Sequence, residues 1–570
     1  MQKLILILCA GLLLQCQQHS ATEKPLPADF KTELWYKHSL IYNLDVEVFK
    51  DSDGDGIGDF QGLVQQLDYL KNLGVDVIWL SPFQPTPNRD DGYDVADFYG
   101  IDTRLGTRAD FDEFMRQARQ RGIRVIMDMV VNHTSDQHHW FQQARRSKNS
   151  PYHSWYVWSD KQPDNWDVGM VFPGVQKEIW SYDKQAGAYF YHRFYNFQPD
   201  LNAQNPAVQR EIRKILKHWL DAGVSGFRLD AVPFMIEIAD PEKKDYKPQF
   251  EIIDMLHKYI QWQRGDAIVL GEANVAPEDQ KDYFGEDDKG MQMMFNFYAN
   301  QYLFYALATG QLQPFIDAMK ATKDIPSAAQ WAIFLRNHDE IDLGRLSDKQ
   351  REEVYARFGP QKNMQLYDRG IRRRLAPMLG DPRQIRFAYS LLFSLPGTPV
   401  IRYGEEIGMG DDLRLKESES VRTPMQWTNA PNAGFTTGSK PVKPVISQGE
   451  YGYPNVNVAT ESQDSTSLLN FISDLIHLRK QCPEIGLGTS TILDTGNPNV
   501  LAIRYDWQGQ SLAMVHNFST QTQQLQLPLA GKSDKRLVNL LEKTEVRAGP
   551  GGAYPLSLPG YGYQWYRMKL

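Results

Sequence analysis

The run RVIMDMVV (residues 124–131) decides how this chain is read. It is a short apolar run rich in β-formers, with a longer amphipathic stretch before it and a long polar segment after it, the signature of one strand in a βαβ unit. The same alternation runs in both directions. Strand-like runs recur as LIYNLDVEVF (40–49), VDVIWL (75–80), GFRLD (226–230), AIVLGE (267–272), MMFNFYA (293–299), AIFLRN (332–337) and PVIRYGEE (399–406). With residues 124–131 these make eight, the number that closes a parallel barrel, so the expected class is α/β with a (β/α)8 TIM barrel. The spacing is regular except after the third run. There residues 132–199, rich in Trp, Tyr, His and Asp, form an inserted loop-rich domain, and the barrel occupies residues 35–131 and 200–484. Strand-to-helix loops build the catalytic face of a barrel, which places the insertion there, together with the polar segment from residue 339 to about 370. From residue 485 to 570 the pattern changes to period two, as in VLAIRYDW and SLAMVHNF, with Gly and Asn turns between. That reads as an antiparallel β-sandwich domain.

A chain of 570 residues is too long for one ordinary core, in keeping with a large domain and smaller companions. Its formal net charge is -8 with no basic run, which argues against nucleic acid as a partner. Aromatic residues make up 12%, a content that suits stacking on sugar rings and equally suits large cores. The first residues, MQKLILILCAGLLLQCQQHS, read as a secretory leader too short to span a membrane. Within it, Leu13, Leu14, Gln15 and Cys16 resemble a lipobox, so residues 1–16 are expected to be a lipoprotein leader, residues 17–34 a tether, and Cys16 a lipid anchor. The expected location is therefore outside the cytoplasm, in the periplasm or on the outer membrane. Only Cys482 lies in the body of the chain, which leaves no internal disulfide.

DSDGDGIGDF (residues 51–60) follows the first strand run. Asp51, Asp53, Asp55 and Gly56 reproduce the first half of an EF-hand loop, but Gly62 stands where the closing bidentate Glu would be. From the residues alone, a calcium loop with the Ile57 carbonyl as one ligand and a solvated acidic turn both stand.

Three strand runs end in an acid: Asp230, Glu272 and Asp339. In a barrel these project from one rim into one cleft. A single such acid is as readily a cap or an ion-pair partner. Three together, beside Arg228, Asn274 and His338, point to glycoside cleavage with retention, which needs a nucleophile and a proton donor roughly 5 to 5.5 Å apart. Arg228, two residues before Asp230 on the same strand face, is expected to hold the Asp230 pKa low, and crowding by the other acids to raise that of Glu272.

DMVVNH, QPDLN, GFRLDAV, GEAN and FLRNHD, in that order, resemble the alpha-amylase superfamily, glycoside hydrolase family 13, from about Trp35 to the C-terminus. The resemblance implies Asp230 as nucleophile, Glu272 as general acid and base, and Asp339 as the carboxylate that distorts the sugar. It also implies sugar contacts by Asp90, Tyr93, His133, Gln198, Arg228, His338 and Arg422, with Asp90 and Arg422 paired to close the pocket and Tyr93 as a stacking platform. It implies structural calcium held by Asp51, Asp53, Asp55, Ile57 and Asp59, and a second calcium near Asn132 and Asp200. Substrates are then small: maltose, trehalose or short malto-oligosaccharides. Stretches such as SPFQPTPNRDDGYDVADF and GIRRRLAPMLG are similar to the branch of the family that isomerises maltose to trehalose through a glucosyl-Asp. Residues 342–374 would be the lid that keeps the freed glucose inside. The alternatives are an exported α-glucosidase or amylase-like hydrolase and, more distantly, a silent sugar-binding relative.

Overall fold

The computed structural model describes residues 34–243, 246–286, 289–529, 536–549 and 552–569. The leader, Cys16 and nearly all of the tether lie outside the described residues. Eight parallel strands close into a barrel, each beside its sequence neighbour and the last beside the first. They are β1 (Ile41–Leu44), β2 (Val77–Leu80), β3 (Arg124–Met129), β4 (Gly226–Leu229), β5 (Ile268–Gly271), β6 (Met293–Phe295), β7 (Gln330–Phe334) and β8 (Thr398–Arg402). Every position of every one is buried, because helices cover the outer face and side chains fill the lumen.

All eight overlap the expected runs, none with the same bounds, and two stop well short for a local reason. The first stops at Leu44, where the backbone turns into a one-turn helix, Val46–Phe49. The sixth stops at Phe295, because the Asn296 side chain accepts from the Ala299 amide and so caps the helix Phe297–Thr309.

Side-chain alternation sorts the lumen into layers. Ile41, Val77, Trp79, Ile126, Ile268, Leu270, Met293, Phe295, Ala332, Phe334 and Val400 form one apolar cluster, which Trp35 and Tyr36 join from the segment before β1. Two residues further along their strands, the same parity carries Asn43, Asp128, Arg228 and Arg402, all buried. This polar layer is held by its own pairs: Arg402 donates to Asn43 Oδ1 at 2.7 Å and is ion-paired with Asp45. One more step brings Asp230 and Glu272 to the rim.

The inserted segment contributes an antiparallel three-stranded sheet, Trp158–Ser159, Ala188–Tyr191 and Trp180–Asp183. The segment after β7 contributes a second small sheet built from Ile341–Asp342, Gly370–Ile371 and Gln365–Leu366, with the helix Asp348–Phe358 between. From Thr489 onward a six-stranded and a two-stranded antiparallel sheet enclose a separate core. They dock on the helix Pro382–Ser394, where the Ser390 hydroxyl accepts from Trp565 Nε1 at 3.0 Å and the Ser394 carbonyl accepts from Tyr505 at 2.6 Å. Cys482 is buried and free.

Candidate active site

Arg228, only 1% exposed, is the hub of the site. Its Nη1 donates to Asp128 Oδ1 at 2.7 Å and to Asp230 Oδ1 at 2.6 Å, and its Nη2 meets Glu272 Oε2 at 2.9 Å. The guanidinium lies 5.5 Å from the Trp79 ring and 5.9 Å from that of Tyr93, and these two side chains donate to the other oxygen of Asp128, each at 3.1 Å. Ala231, in the left-handed region at φ 51°, turns its amide back onto Glu272 Oε2 at 3.0 Å. A non-glycine residue in that region is strained, and such strain collects at functional sites.

One cation facing three carboxylates cannot neutralise them all. Burial, with the charges of Asp128 and Asp339, pushes Asp230 up to about 6 against the pull of Arg228. The expectation of a low pKa there is corrected: desolvation outweighs the guanidinium, which is shared. Burial also lifts Asp128 to about 6 and raises Glu272, so these carboxyls release their protons at higher pH than free carboxyls do.

Asp339 sits in a second polar fork. Its Oδ1 accepts from Arg422 Nη2 at 2.6 Å and its Oδ2 from His338 Nε2 at 3.0 Å. Despite burial, these partners hold its carboxyl well below the ordinary range. Arg422 Nε donates to the His338 carbonyl at 2.9 Å and Nη1 to Asp91 Oδ2 at 2.5 Å. The direct partner of Arg422 is thus Asp91 and not Asp90, a correction to the expected clamp. The φ of 46° at Asp91 turns consecutive side chains apart. Asp90 instead accepts from Gln198 at 2.7 Å, and burial raises it well above the usual carboxylate range, while Lys443 and Arg422 overcome burial and hold Asp91 at about 2.

The cavity at the barrel mouth measures about 1040 Å³. Asp90, Asp91, Tyr93, His133, Asp230, Glu272, Asp339 and Arg422 line it. Three expected sugar contacts stand one layer back. Arg228 is taken up by carboxylates, His338 by Tyr93 and Asp339, and Gln198 by Asp90. His133 meets the Tyr93 carbonyl through Nε2, 3.1 Å away, and burial lowers it to about 4, so it is neutral in use. Tyr93 stacks on His338 with ring centroids 5.5 Å apart.

Residues that sequence reading missed form the rim. Tyr195 of the insertion and Tyr367 of the segment after β7 both donate to Glu417 Oε2, at 2.5 and 2.9 Å. Phe172 packs between these two rings, with centroids 4.9 and 4.8 Å away, and Arg369 donates to the Val171 carbonyl at 2.7 Å. Asp128 had a signal, since it lies inside DMVVNH. Tyr367 had only its place in the expected lid, residues 342–374, and Glu417 and Lys443 had none, because their partners are far away in sequence.

Away from the cavity, Asp51, Asp53 and Asp59 each bring a carboxylate oxygen within 4.8 Å of the others. Asp55 is not in that group, and its Oδ1 accepts from the Ile57 amide at 2.7 Å. The loop is preformed, with Asp51 accepting from the amides of Asp53, Gly54 and Gly56. Hard oxygens crowded in this way suit a divalent cation such as calcium. Asn132, His133 and Asp200 also come together: His133 pairs with Asp200 through a backbone bridge, and burial lifts Asp200 to about 7.

Comparison with known proteins supports the geometry. Residues 44–488 match the alpha amylase catalytic domain and residues 490–565 the maltogenic amylase C-terminal domain. The trehalose synthase/amylase TreS of Mycolicibacterium smegmatis is 39% identical over 564 residues, covering 96% of this chain and 94% of that one. The oligo-1,6-glucosidase of Parageobacillus thermoglucosidasius is 32% identical, covering 92% of this chain and all of its own, 100%. Among solved structures, the trehalulose synthase MutB of Pseudomonas mesoacidophila MX-45 superposes with a TM-score of 0.75 at 27% identity, over 94% of this chain and 99% of its own. MutB has also been solved in complex with isomaltulose, at a TM-score of 0.76. Barrel, strand-end acids and sequence similarity agree: this chain belongs to the alpha-amylase family, glycoside hydrolase family 13.

Proposed function

We propose that the protein isomerises maltose to trehalose by double displacement, with some hydrolysis. The observation that carries this reading is the strap of Tyr195, Tyr367 and Glu417 across a pocket that contains Asp230, Glu272 and Asp339, because an isomerase must hold its leaving sugar while a hydrolase need not. Arg228 engages Asp230 Oδ1, so Oδ2 attacks the anomeric carbon. As that bond forms, the α-1,4 bond breaks and Glu272 gives its proton to the departing O4. Oε2 of Glu272 is held by Arg228 and the Ala231 amide, leaving Oε1 to carry that proton. Asp339, kept ionised by Arg422, grips ring hydroxyls. The retained glucose turns, Glu272 takes the proton from its anomeric hydroxyl, and that oxygen displaces Asp230 to give the α,α-1,1 linkage with both configurations retained.

The test is the product mixture from maltose, resolved by NMR of the anomeric protons over time. Trehalose ahead of glucose supports the isomerase. Glucose alone, released first as the α anomer, would make the protein a retaining α-glucosidase, the reading that the likeness to oligo-1,6-glucosidase favours. We also propose that Asp51, Asp53 and Asp59 hold calcium, with Asp55 and the Ile57 carbonyl as further ligands and with fixing of the loop as its only contribution. Asn132 and Asp200 are proposed as a second position. Export and a lipid anchor at Cys16 complete the proposal; a Cys16→Ser chain that stays in the membrane fraction would argue against the anchor.

A further inference from the structure

We propose that Lys443 is a positioning residue for the glucose-gripping fork, acting on Asp339 through Asp91 and Arg422. The inference rests on the reading of Asp339 as a sugar-binding carboxylate. Lys443 Nζ meets Asp91 Oδ1 at 2.6 Å, Asp91 Oδ2 accepts from Arg422 Nη1 at 2.5 Å, and Arg422 Nη2 donates to Asp339 Oδ1 at 2.6 Å. Asp91 is thus a carboxylate bridging two cations, one on each oxygen. Arg422 and Asp91 line the cavity, whereas Lys443 faces the other way, into a small void that Asp45, Glu47 and Arg104 line together with Val46, Val48 and Phe83. Lys443 therefore touches no substrate.

Its value lies in what Arg422 would otherwise do. A guanidinium prefers to grip one carboxylate with two parallel bonds. With Lys443 occupying Oδ1, Asp91 offers Arg422 only Oδ2, and the remaining arm of the fork stays on Asp339. Remove the ammonium and Asp91 presents both oxygens to Arg422, in competition with Asp339. The left-handed backbone at Asp91, followed by Gly92 at φ 93°, is the strain spent on aiming that side chain between its two partners.

The segment that delivers Lys443 is anchored elsewhere. Its Val442 amide donates to the Gly56 carbonyl at 2.7 Å, and the Asp51 amide donates to the Phe435 carbonyl at 3.1 Å. Lys50 Nζ donates to the Gly434 carbonyl at 2.9 Å. The reach of Lys443 is thus set by the acidic loop and not by the pocket.

The experiment compares Lys443→Met, Lys443→Ala and Asp339→Ala for kcat/KM on maltose and for affinity toward deoxynojirimycin, a glucose-shaped cation, with Tm measured on each. The expected result for Lys443→Met is a loss of about ten- to a hundredfold in kcat/KM, with deoxynojirimycin affinity falling in parallel, at temperatures where the variant is folded. Propylammonium added to Lys443→Ala is expected to restore at least about tenfold, since it supplies the missing charge beside the void. Lys443→Met with kcat/KM and inhibitor affinity within about twofold of the parent and only a lower Tm would overturn the proposal, as would Lys443→Ala that is impaired and indifferent to the amine. An active Asp339→Ala would instead overturn the reading on which the proposal rests.

Discussion

At the scale of single residues, the site is a problem of too many carboxylates for too few cations. Asp230 must be ionised to attack, yet its pKa stands at about 6. The acid limb of kcat/KM is therefore expected near that value, with activity falling about tenfold for each further step of one in pH below it. Because the Asp128 charge is one of the causes, Asp128→Asn should move this limb to lower pH, and a limb that stays put or rises would refute the assignment. The raised carboxyl bears on stability as well. A group that binds its proton more tightly in the folded chain than in the unfolded one, where its pKa is about 4, costs the folded state as pH climbs through that window, and a tenfold difference in proton affinity amounts to about 1.4 kcal/mol. Asp230→Asn should thus abolish turnover, by about 10⁴-fold or more, while its Tm at neutral pH rises above the parent. Turnover surviving in that variant would remove the nucleophile. The three acids were legible because a strand end has a fixed place on a barrel. Asp91 and Lys443 were not, since 352 residues separate partners whose meeting only the folded chain reveals.

At the scale of elements, the eight strands were readable because strands buried on both faces leave continuous apolar runs. Their ends were less so: the capping side chain of Asn296, inside an apolar run, is what stops β6. The strands of the two small rim sheets were not legible, being as short as two residues and paired with partners farther along the same segment. The segments that hold these sheets supply Tyr195 and Tyr367 of the strap, while Glu417 comes from the loop after β8. Two phenols share one carboxylate oxygen of Glu417, and a hydrogen bond to a charged acceptor contributes about 1.5 to 3 kcal/mol. Tyr367→Phe removes one such bond without emptying the aromatic stack on Phe172. The expected outcome is a glucose-to-trehalose ratio from maltose raised about tenfold or more, with total maltose consumption little changed, read by NMR. A ratio that does not move would mean that the strap does not control escape, and would take from the isomerase reading its main structural support.

At the scale of the whole molecule, the acidic loop sits where distant parts of the chain cross. It follows β1, it binds the segment 434–443 through the Phe435 and Gly56 contacts, and that segment ends at the Lys443 pair. Close packing leaves it little room to move: a Cβ on Gly56 would lie 2.1 Å from the Lys440 carbonyl oxygen, and one on Gly54 2.8 Å from the Thr437 hydroxyl. Three carboxylates gathered within 4.8 Å repel one another unless a cation joins them, so ion binding should be coupled to folding. At a free concentration of about a hundred times its dissociation constant, a single calcium would add about 2.7 kcal/mol. Calorimetry should accordingly show Tm rising with added calcium and falling in EDTA for the parent chain. For Asp51→Asn the two conditions should coincide at the lower value, because a buried position of the cluster loses its negative charge and one of its two oxygens while the side chain keeps its size. The sign is the decisive part. If calcium leaves the parent Tm unchanged, the loop is a turn held by its own Asp-to-amide bonds, and the segment that carries Lys443 is fixed by the chain alone.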